Sequence, residues 1–366
     1  MNATVTGMVE PPFAPVREVF AELCASGAET GAALSVIHHG RPVVELYGGS
    51  ADAAGARGWA ADTVVNAFSV GKPVAALCVL VLVDRGRLDL EDPVRQHWPE
   101  FSGADVLVRH LLSHTAGLPA FPVPRPAEAF ADWDVLCADL AATAPEWPPG
   151  TAAAEHALTY GHLVGELVRR VDGRSVGRFL AEEIAGPWRL DLGFGLDAED
   201  QRRCAELEYG DPDWPRRMIG APGSPRRRMV GNPAGYLALD VLNGSLWRGA
   251  EVPAVNLHTT ATGLARFYAG LLAGGVLDGV RLLRPETVAE AVRVRYDGPD
   301  LLLGRRVQWT LGMQVEDDGT WGMGGLGGNV GYADPRRAFT FGYVTRRLGD
   351  FDRVDALVKV VERLTG

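Results

Sequence analysis

The hydrophobic pattern changes period along the chain. Residues 16–26 carry apolar side chains at helical spacing, which predicts an amphipathic helix. Two apolar runs, 32–37 and 42–47, flank His38-His39-Gly40-Arg41, a β-hairpin signature. Residues 68–85 form the most apolar helical pattern, stopped by Gly86. Residues 106–112 read as a short helix with Asp105 as N-cap. Helices are also expected over 159–171, ended by Asp172-Gly173, and over 260–272, ended by Gly274-Gly275. Residues 307–315, 328–333 and 338–345 then read as strands between turn residues. The last segment, 351–364, is an amphipathic helix with Asp350 as N-cap.

A strand-rich start and end thus enclose a helix-rich middle. This predicts an α+β fold: an antiparallel sheet flanked by the terminal helices, with an inserted helical lobe. Residues 1–66 and 295–366 are expected to make a discontinuous sheet lobe, and 67–294 a mainly helical lobe with long loops. A site is expected in the cleft between them. The 366 residues are 47% hydrophobic, enough for a two-lobed core. The net charge of −10 argues against nucleic-acid or anionic-membrane partners. Arg226-Arg227-Arg228 reads as a solvated loop. No apolar run reaches the roughly 20 residues that span a bilayer. Residues 1–15 lack a basic start followed by an apolar stretch, so a cytoplasmic protein is expected. Cys24, Cys78, Cys137 and Cys204 are far apart, with no His at metal-ligand spacing. Free buried thiols and no metal are expected.

Candidate chemistry sits at the start of the most apolar helix, in Asn66-Ala67-Phe68-Ser69-Val70-Gly71-Lys72-Pro73. Residues i and i+3 share a helix face, so Ser69 and Lys72 are neighbours. A serine needs an adjacent base to become a nucleophile, and a lysine serves when burial lowers its pKa. The helix N-terminus places a backbone N–H near a developing oxyanion. Ser-x-x-Lys alone is a weak signal. Here positive charge is carried almost wholly by arginine, and Lys72 and Lys359 are the only lysines, which makes a chance match less frequent.

Further segments sharpen this. Asp89-Leu90-Glu91-Asp92-Pro93-Val94 follows the helix. Arg109-His110-Leu111-Leu112-Ser113-His114-Thr115-Ala116-Gly117-Leu118-Pro119 and Trp147-Pro148-Pro149-Gly150-Thr151 come next, then the helical stretch with Gly165-Glu166-Leu167. With these motifs the chain resembles, over nearly its whole length, the β-lactamase-related serine hydrolases. That group includes class C β-lactamases, penicillin-binding proteins, and esterases and transacylases of the same β-lactamase/transpeptidase-like fold. The resemblance implies a serine acyl-enzyme, no cofactor, and a structural role for His114 in holding its turn.

Two departures from the family stand out. Its second motif reads Tyr-x-Asn, or Tyr-His-Ala in the esterase branch. Here Glu155-His156-Ala157 puts a glutamate at the tyrosine position, while Tyr160 matches a core aromatic. The third motif normally carries a cation or aromatic before its glycines. Here Trp321-Gly322-Met323-Gly324-Gly325-Leu326 puts Met323 there. By the resemblance Ser69, Lys72 and Glu155 are the catalytic candidates. The backbone N–H of Leu326 is the second oxyanion donor, and Gly325, Gly324, Met323, Trp321 and His156 line the substrate side. Met323 removes a donor for a substrate carboxylate, so β-lactams are not the expected substrates. An anion beside Lys72 holds the ammonium charged, which hands the base role to Glu155. The expected function is acyl transfer from a small-molecule donor to water or to an amine or alcohol acceptor. A catalytically degenerate binding or regulatory protein, or a non-hydrolytic enzyme such as a cyclase, are the open alternatives.

Overall fold

The predicted hairpin lies inside a nine-stranded sheet in the computed structural model, which describes residues 5–366. Strands β1 (Val5–Val9), β2 (Gly31–His38) and β3 (Arg41–Gly49) come from the start of the chain. Strands β4 (Tyr296–Pro299), β5 (Arg306–Trp309), β6 (Gln314–Val315), β7 (Trp321–Gly325), β8 (Asn329–Asp334) and β9 (Phe339–Thr345) come from its far end. The order is β1-β3-β2-β9-β8-β7-β6-β5-β4 and every pair is antiparallel. The two ends of the chain meet where β2 pairs with β9, from Ala32 opposite Thr345 to His38 opposite Phe339.

Five longer helices set the layers: α1 (Ala14–Ala25), α2 (Gly71–Asp84), α3 (Tyr160–Asp172), α4 (Ala261–Leu272) and α5 (Asp352–Thr365). The two terminal helices cover one face. Val16 and Phe20 of α1 join Val354, Leu357 and Val361 of α5 over Leu34, Val36, Val44 and Phe341. Burying each such side chain is worth about 1.5–3 kcal/mol. Helix α4 covers the other face, and a Cβ on Gly342 of β9 would lie 2.3 Å from the Ala261 carbonyl oxygen. Both faces of β2 are therefore buried, which is why its sequence is almost continuously apolar. Helix α2 is buried all round from Gly71 to Leu82 and packs on α3. Its pattern lacks a polar stripe because it has no solvent face.

The structure corrects the sequence reading in several places. The expected strand 307–315 is two strands, β5 and β6. Between them Gly312 adopts φ +93° and the Thr310 N–H donates to the Met313 carbonyl at 2.9 Å. The β4 strand had no signal of its own. Asp105 caps nothing: its helix starts at Val108, and the Leu107 N–H donates to His110 Nδ1 instead. Asp350 does not cap α5, which begins behind Phe351. The 68–85 helix opens as a 3-10 turn, Phe68–Val70. The four cysteines are buried and unbridged. No helix among the described residues is long and apolar enough to cross a membrane.

Candidate active site

Ser69 lies in the 3-10 turn that leads into α2, and it keeps 7% of its surface exposed. Phe68, directly before it, is fully buried with φ +53°. Left-handed backbone at a bulky residue costs about 1–3 kcal/mol and persists only where packing over-determines it. The buried Phe68 ring provides that packing and leaves Ser69 at the apex of the turn.

Lys72 is fully buried one turn on. Its Nζ has three oxygen partners: Ser69 Oγ at 2.7 Å, Glu155 Oε1 at 3.0 Å and the Ala254 carbonyl at 3.1 Å. Burial lowers the Lys72 pKa below its ordinary value, and the Glu155 carboxylate opposes that pull. Glu155 keeps 8% exposure. It meets Lys72 directly and makes no hydrogen bond to Ser69, so the Lys72 nitrogen stands between carboxylate and hydroxyl.

Two histidines hold the Glu155 segment. The His156 N–H donates to His114 Nδ1 at 3.0 Å, and the Ala154 N–H to the His114 carbonyl at 3.3 Å. His156 Nδ1 donates to the Ala154 carbonyl at 2.7 Å, and its Nε2 accepts from the Leu118 N–H at 3.1 Å. Burial pushes His156 down to about 4 and His114 well below its ordinary range, so both rings are neutral. His114, at φ +61°, holds the turn. His156 was expected to line the substrate side. Instead both its ring nitrogens are bonded to backbone, and it positions the loop. Tyr160 is core, packed on His114 with ring centroids 4.6 Å apart.

The Ala254 carbonyl was missed by sequence reasoning, because a backbone oxygen has no side-chain signal. The Asn256 side chain ties its loop, donating to the Ala250 and Trp247 carbonyls and accepting from the Val252 N–H. A Cβ on Gly71 would lie 2.9 Å from the Pro253 oxygen, and one on Gly161 2.4 Å from the Ala254 nitrogen. The glycine between Ser69 and Lys72 was thus a signal of close backbone approach.

The end of β7 closes the site. A Cβ on Gly325 would lie 2.1 Å from the Ala67 oxygen, so only glycine lets this strand press against the Ser69 turn. Leu326 follows. Outside the helix and strand ladders, the backbone N–H groups of Ser69 and Leu326 make no backbone hydrogen bond among the described residues. Met323 is buried against Val307, Trp309 and Ala153, the last of which precedes Glu155 closely in the chain. Trp321 packs on Tyr268 of α4, with ring centroids 5.9 Å apart. Gly324 faces the other side of the sheet, where a Cβ would meet the Phe351 ring at 3.2 Å. The structure therefore gathers Ser69, Lys72, Glu155, Gly325 and Leu326, with Met323 beside them. Gly324 faces the α5 side of the sheet, Trp321 packs on α4, and both ring nitrogens of His156 bond backbone.

Comparison with known proteins shows the family of the chain. Residues 16–363 match the family described as Beta-lactamase. The esterase/beta-lactamase LipL of Mycobacterium tuberculosis is 33% identical over 94% of this chain and 83% of its own. The crystal structure of a family VIII carboxylesterase superposes with TM-score 0.89 at 33% identity, covering 99% of this chain and 100% of the other. A penicillin-binding protein homologue from Caulobacter crescentus gives TM-score 0.86 at 36% identity, over 99% and 100% of the two chains. By the family match and by relatives aligned along almost its whole length, the chain belongs to the beta-lactamase family.

Proposed function

We propose that the protein is an esterase or transacylase that carries small-molecule acyl groups on Ser69. The observation that carries this reading is the 2.7 Å contact between Lys72 Nζ and Ser69 Oγ, in the turn that leads into α2. Ser69 Oγ attacks the acyl carbon, and its proton leaves as the C–O bond forms. A neutral Lys72 amine gives its two N–H bonds to Glu155 and Ala254 and turns its lone pair to the serine hydroxyl. Taking that proton makes an ammonium whose three N–H bonds fill all three acceptors. The Glu155 carboxylate balances the charge so formed, and thus acts through Lys72. The oxyanion meets the amides of Ser69 and Leu326, a contribution typically worth 10²–10³ in rate per donor, or about 3–4 kcal/mol. Breakdown returns the Lys72 proton to the leaving alcohol or amine. Water or an acceptor alcohol or amine then repeats the steps in reverse and releases the acyl group.

LipL and the family VIII carboxylesterase are named as esterases, which supports this substrate class. Buried Met323, in place of a cation, favours acyl groups without a carboxylate beside the reacting carbonyl. The test is hydrolysis of p-nitrophenyl acetate and butyrate, with intact-mass detection of a Ser69 adduct from a fluorophosphonate. Wild type should turn over and label, and Ser69→Ala should do neither. Unchanged ester turnover by Ser69→Ala would sink the serine mechanism.

A second reading draws on the same three acceptors. If they keep Lys72 permanently charged, no base remains and the fold serves binding only. Wild-type protein that resists the fluorophosphonate would favour that reading.

A further inference from the structure

The turn that carries the Leu326 amide is held from behind by one buried arginine. Arg353, in the first turn of α5, donates from Nη2 to the Gly327 carbonyl at 3.0 Å and to the Arg347 carbonyl at 2.7 Å. Its Nη1 donates to Glu29 Oε1 at 2.8 Å. Glu29 is almost fully buried and also accepts from Thr345 Oγ1 at 2.7 Å and from the Tyr343 hydroxyl. The Gly349 N–H donates to the same Gly327 oxygen at 3.3 Å. Asn329 completes the clamp: its Nδ2 donates to the Leu326 carbonyl at 3.1 Å, and its Oδ1 accepts from the Thr345 N–H at 3.0 Å.

The turn needs this support. Gly327 and Gly328 adopt φ +87° and +101°, where a glycine peptide has the widest choice of orientation. An oxyanion donor works only when its N–H is already aimed at the position the oxygen will take. The Leu326 N–H belongs to the Gly325–Leu326 peptide, and with glycines on both sides of Leu326 that peptide keeps its orientation only if its neighbours are fixed. Arg353 meets the turn with a planar fork whose donors reach Glu29, Gly327 and Arg347 at once, which a point-charge lysine cannot reproduce.

We propose that Arg353, itself anchored by Glu29, is a positioning residue that holds the Leu326 amide in its oxyanion-binding orientation. It touches no substrate and acts through the Leu326–Gly328 turn. The inference rests on the acyl-transfer reading above.

The experiment compares Arg353→Lys, Arg353→Met and the pair Glu29→Gln/Arg353→Met. The pair removes both charges together, so no lone buried ion is left to unfold the protein. Val361→Ala, which loosens α5 without touching the turn, is the control. Each variant is measured for Tm, for kcat and KM on p-nitrophenyl butyrate, and for inhibition by an aryl boronic acid, whose tetrahedral adduct uses the same amides. We expect the Arg353 variants to lose about 10–10²-fold in kcat, the usual penalty of a misplaced group. KM should change less than about twofold, boronate affinity should fall in parallel with kcat/KM, and Arg353→Lys should fall between wild type and Arg353→Met. Val361→Ala should lower Tm and keep kcat. Folded Arg353 variants with wild-type kcat and boronate affinity would overturn the proposal. So would a Val361→Ala loss of equal size, or unfolding of all three Arg353 variants, since either makes α5 a support of the fold as a whole. If wild type neither turns over esters nor labels at Ser69, it is the acyl-transfer reading that fails.

Discussion

Among the described residues, two ion pairs of different make are buried. Lys72 and Glu155 meet at 3.0 Å beside a serine hydroxyl, while Arg353 and Glu29 meet at 2.8 Å behind the Leu326 turn. In both, burial works against the charged forms: it lowers Lys72 and raises Glu29, and in both the partner's charge pulls the other way. The difference lies in the cation. A lysine can give up its proton when desolvated, whereas an arginine stays charged and holds a fixed fork. One pair is therefore suited to moving a proton and the other to fixing geometry. The residues each touches agree: a hydroxyl and a carboxylate on one side, two backbone carbonyls on the other.

The sharpest way to break this comparison is to exchange the cation. Lys72→Arg keeps the charge next to Glu155 and removes the lone pair. Ester turnover should fall by about 10⁴-fold, the upper range for loss of a general base, while the fold persists by circular dichroism. Activity of the Lys72→Arg variant within about tenfold of wild type would show that no proton passes through this position. In wild type, kcat/KM should rise with pH as Lys72 loses its proton, with a midpoint below lysine's ordinary 10.5.

Glu155→Gln comes next. It removes the charge that holds Lys72 protonated, so burial alone acts and the rising limb moves to lower pH. If Glu155 only trapped Lys72 as an ammonium, the variant would be faster than wild type at pH 7. If the carboxylate stabilises the ammonium formed during attack, the rate drops by about 10²–10³-fold. We expect the drop, and a full pH profile of the two proteins decides between them.

A smaller effect is expected at Met323. Nitrocefin should be hydrolysed far more slowly than p-nitrophenyl butyrate, below about 10⁴ M⁻¹s⁻¹ in kcat/KM. A higher value would overturn the substrate-class argument. The smallest effect concerns stability in acid. Burial pushes His110 and His156 down to about 4, and His162 and His258 to about 3. Between those values and about 6.5 the unfolded chain binds protons that the folded chain does not. Stability is therefore full above about pH 6.5 and declines as pH falls toward 4. His162, ringed by Phe121, Phe130 and Trp133 with neither ring nitrogen bonded, is the clean probe. Plotted against pH from 7 to 4.5, the Tm of His162→Phe should slope less than that of wild type. Parallel slopes would remove this histidine from the account.

Local order accounts for what could be read from the sequence. The hairpin, helices α1 to α5 and the Ser69/Lys72 neighbourhood depend on period and on i,i+3 spacing, which the chain carries within a few residues. The Glu155 position was legible only through motif register, since 83 residues of sequence have to fold back before its carboxylate reaches Lys72 (155 − 72 = 83). The β5–β6 break was hidden because Gly312 sits in an otherwise strand-like run. The expected N-caps at Asp105 and Asp350 failed because both helices start later: the His110 ring meets the Leu107 amide three residues back, and Phe351 stands at the start of α5.

By itself, the sequence determined the α+β order of elements, the neighbourhood of Ser69 and Lys72, and the residues Glu155 and Met323 at the two motif positions. Tertiary structure alone decided that Lys72 takes a third partner in the Ala254 carbonyl and that His156 bonds backbone on both ring nitrogens. It also decided that Gly324 faces the α5 side of the sheet, and that Arg353 grips the turn behind Leu326. The physical reason is the same in each case. Backbone carbonyls and strand faces carry no side-chain code, and their positions follow from which distant segments the buried core brings into register.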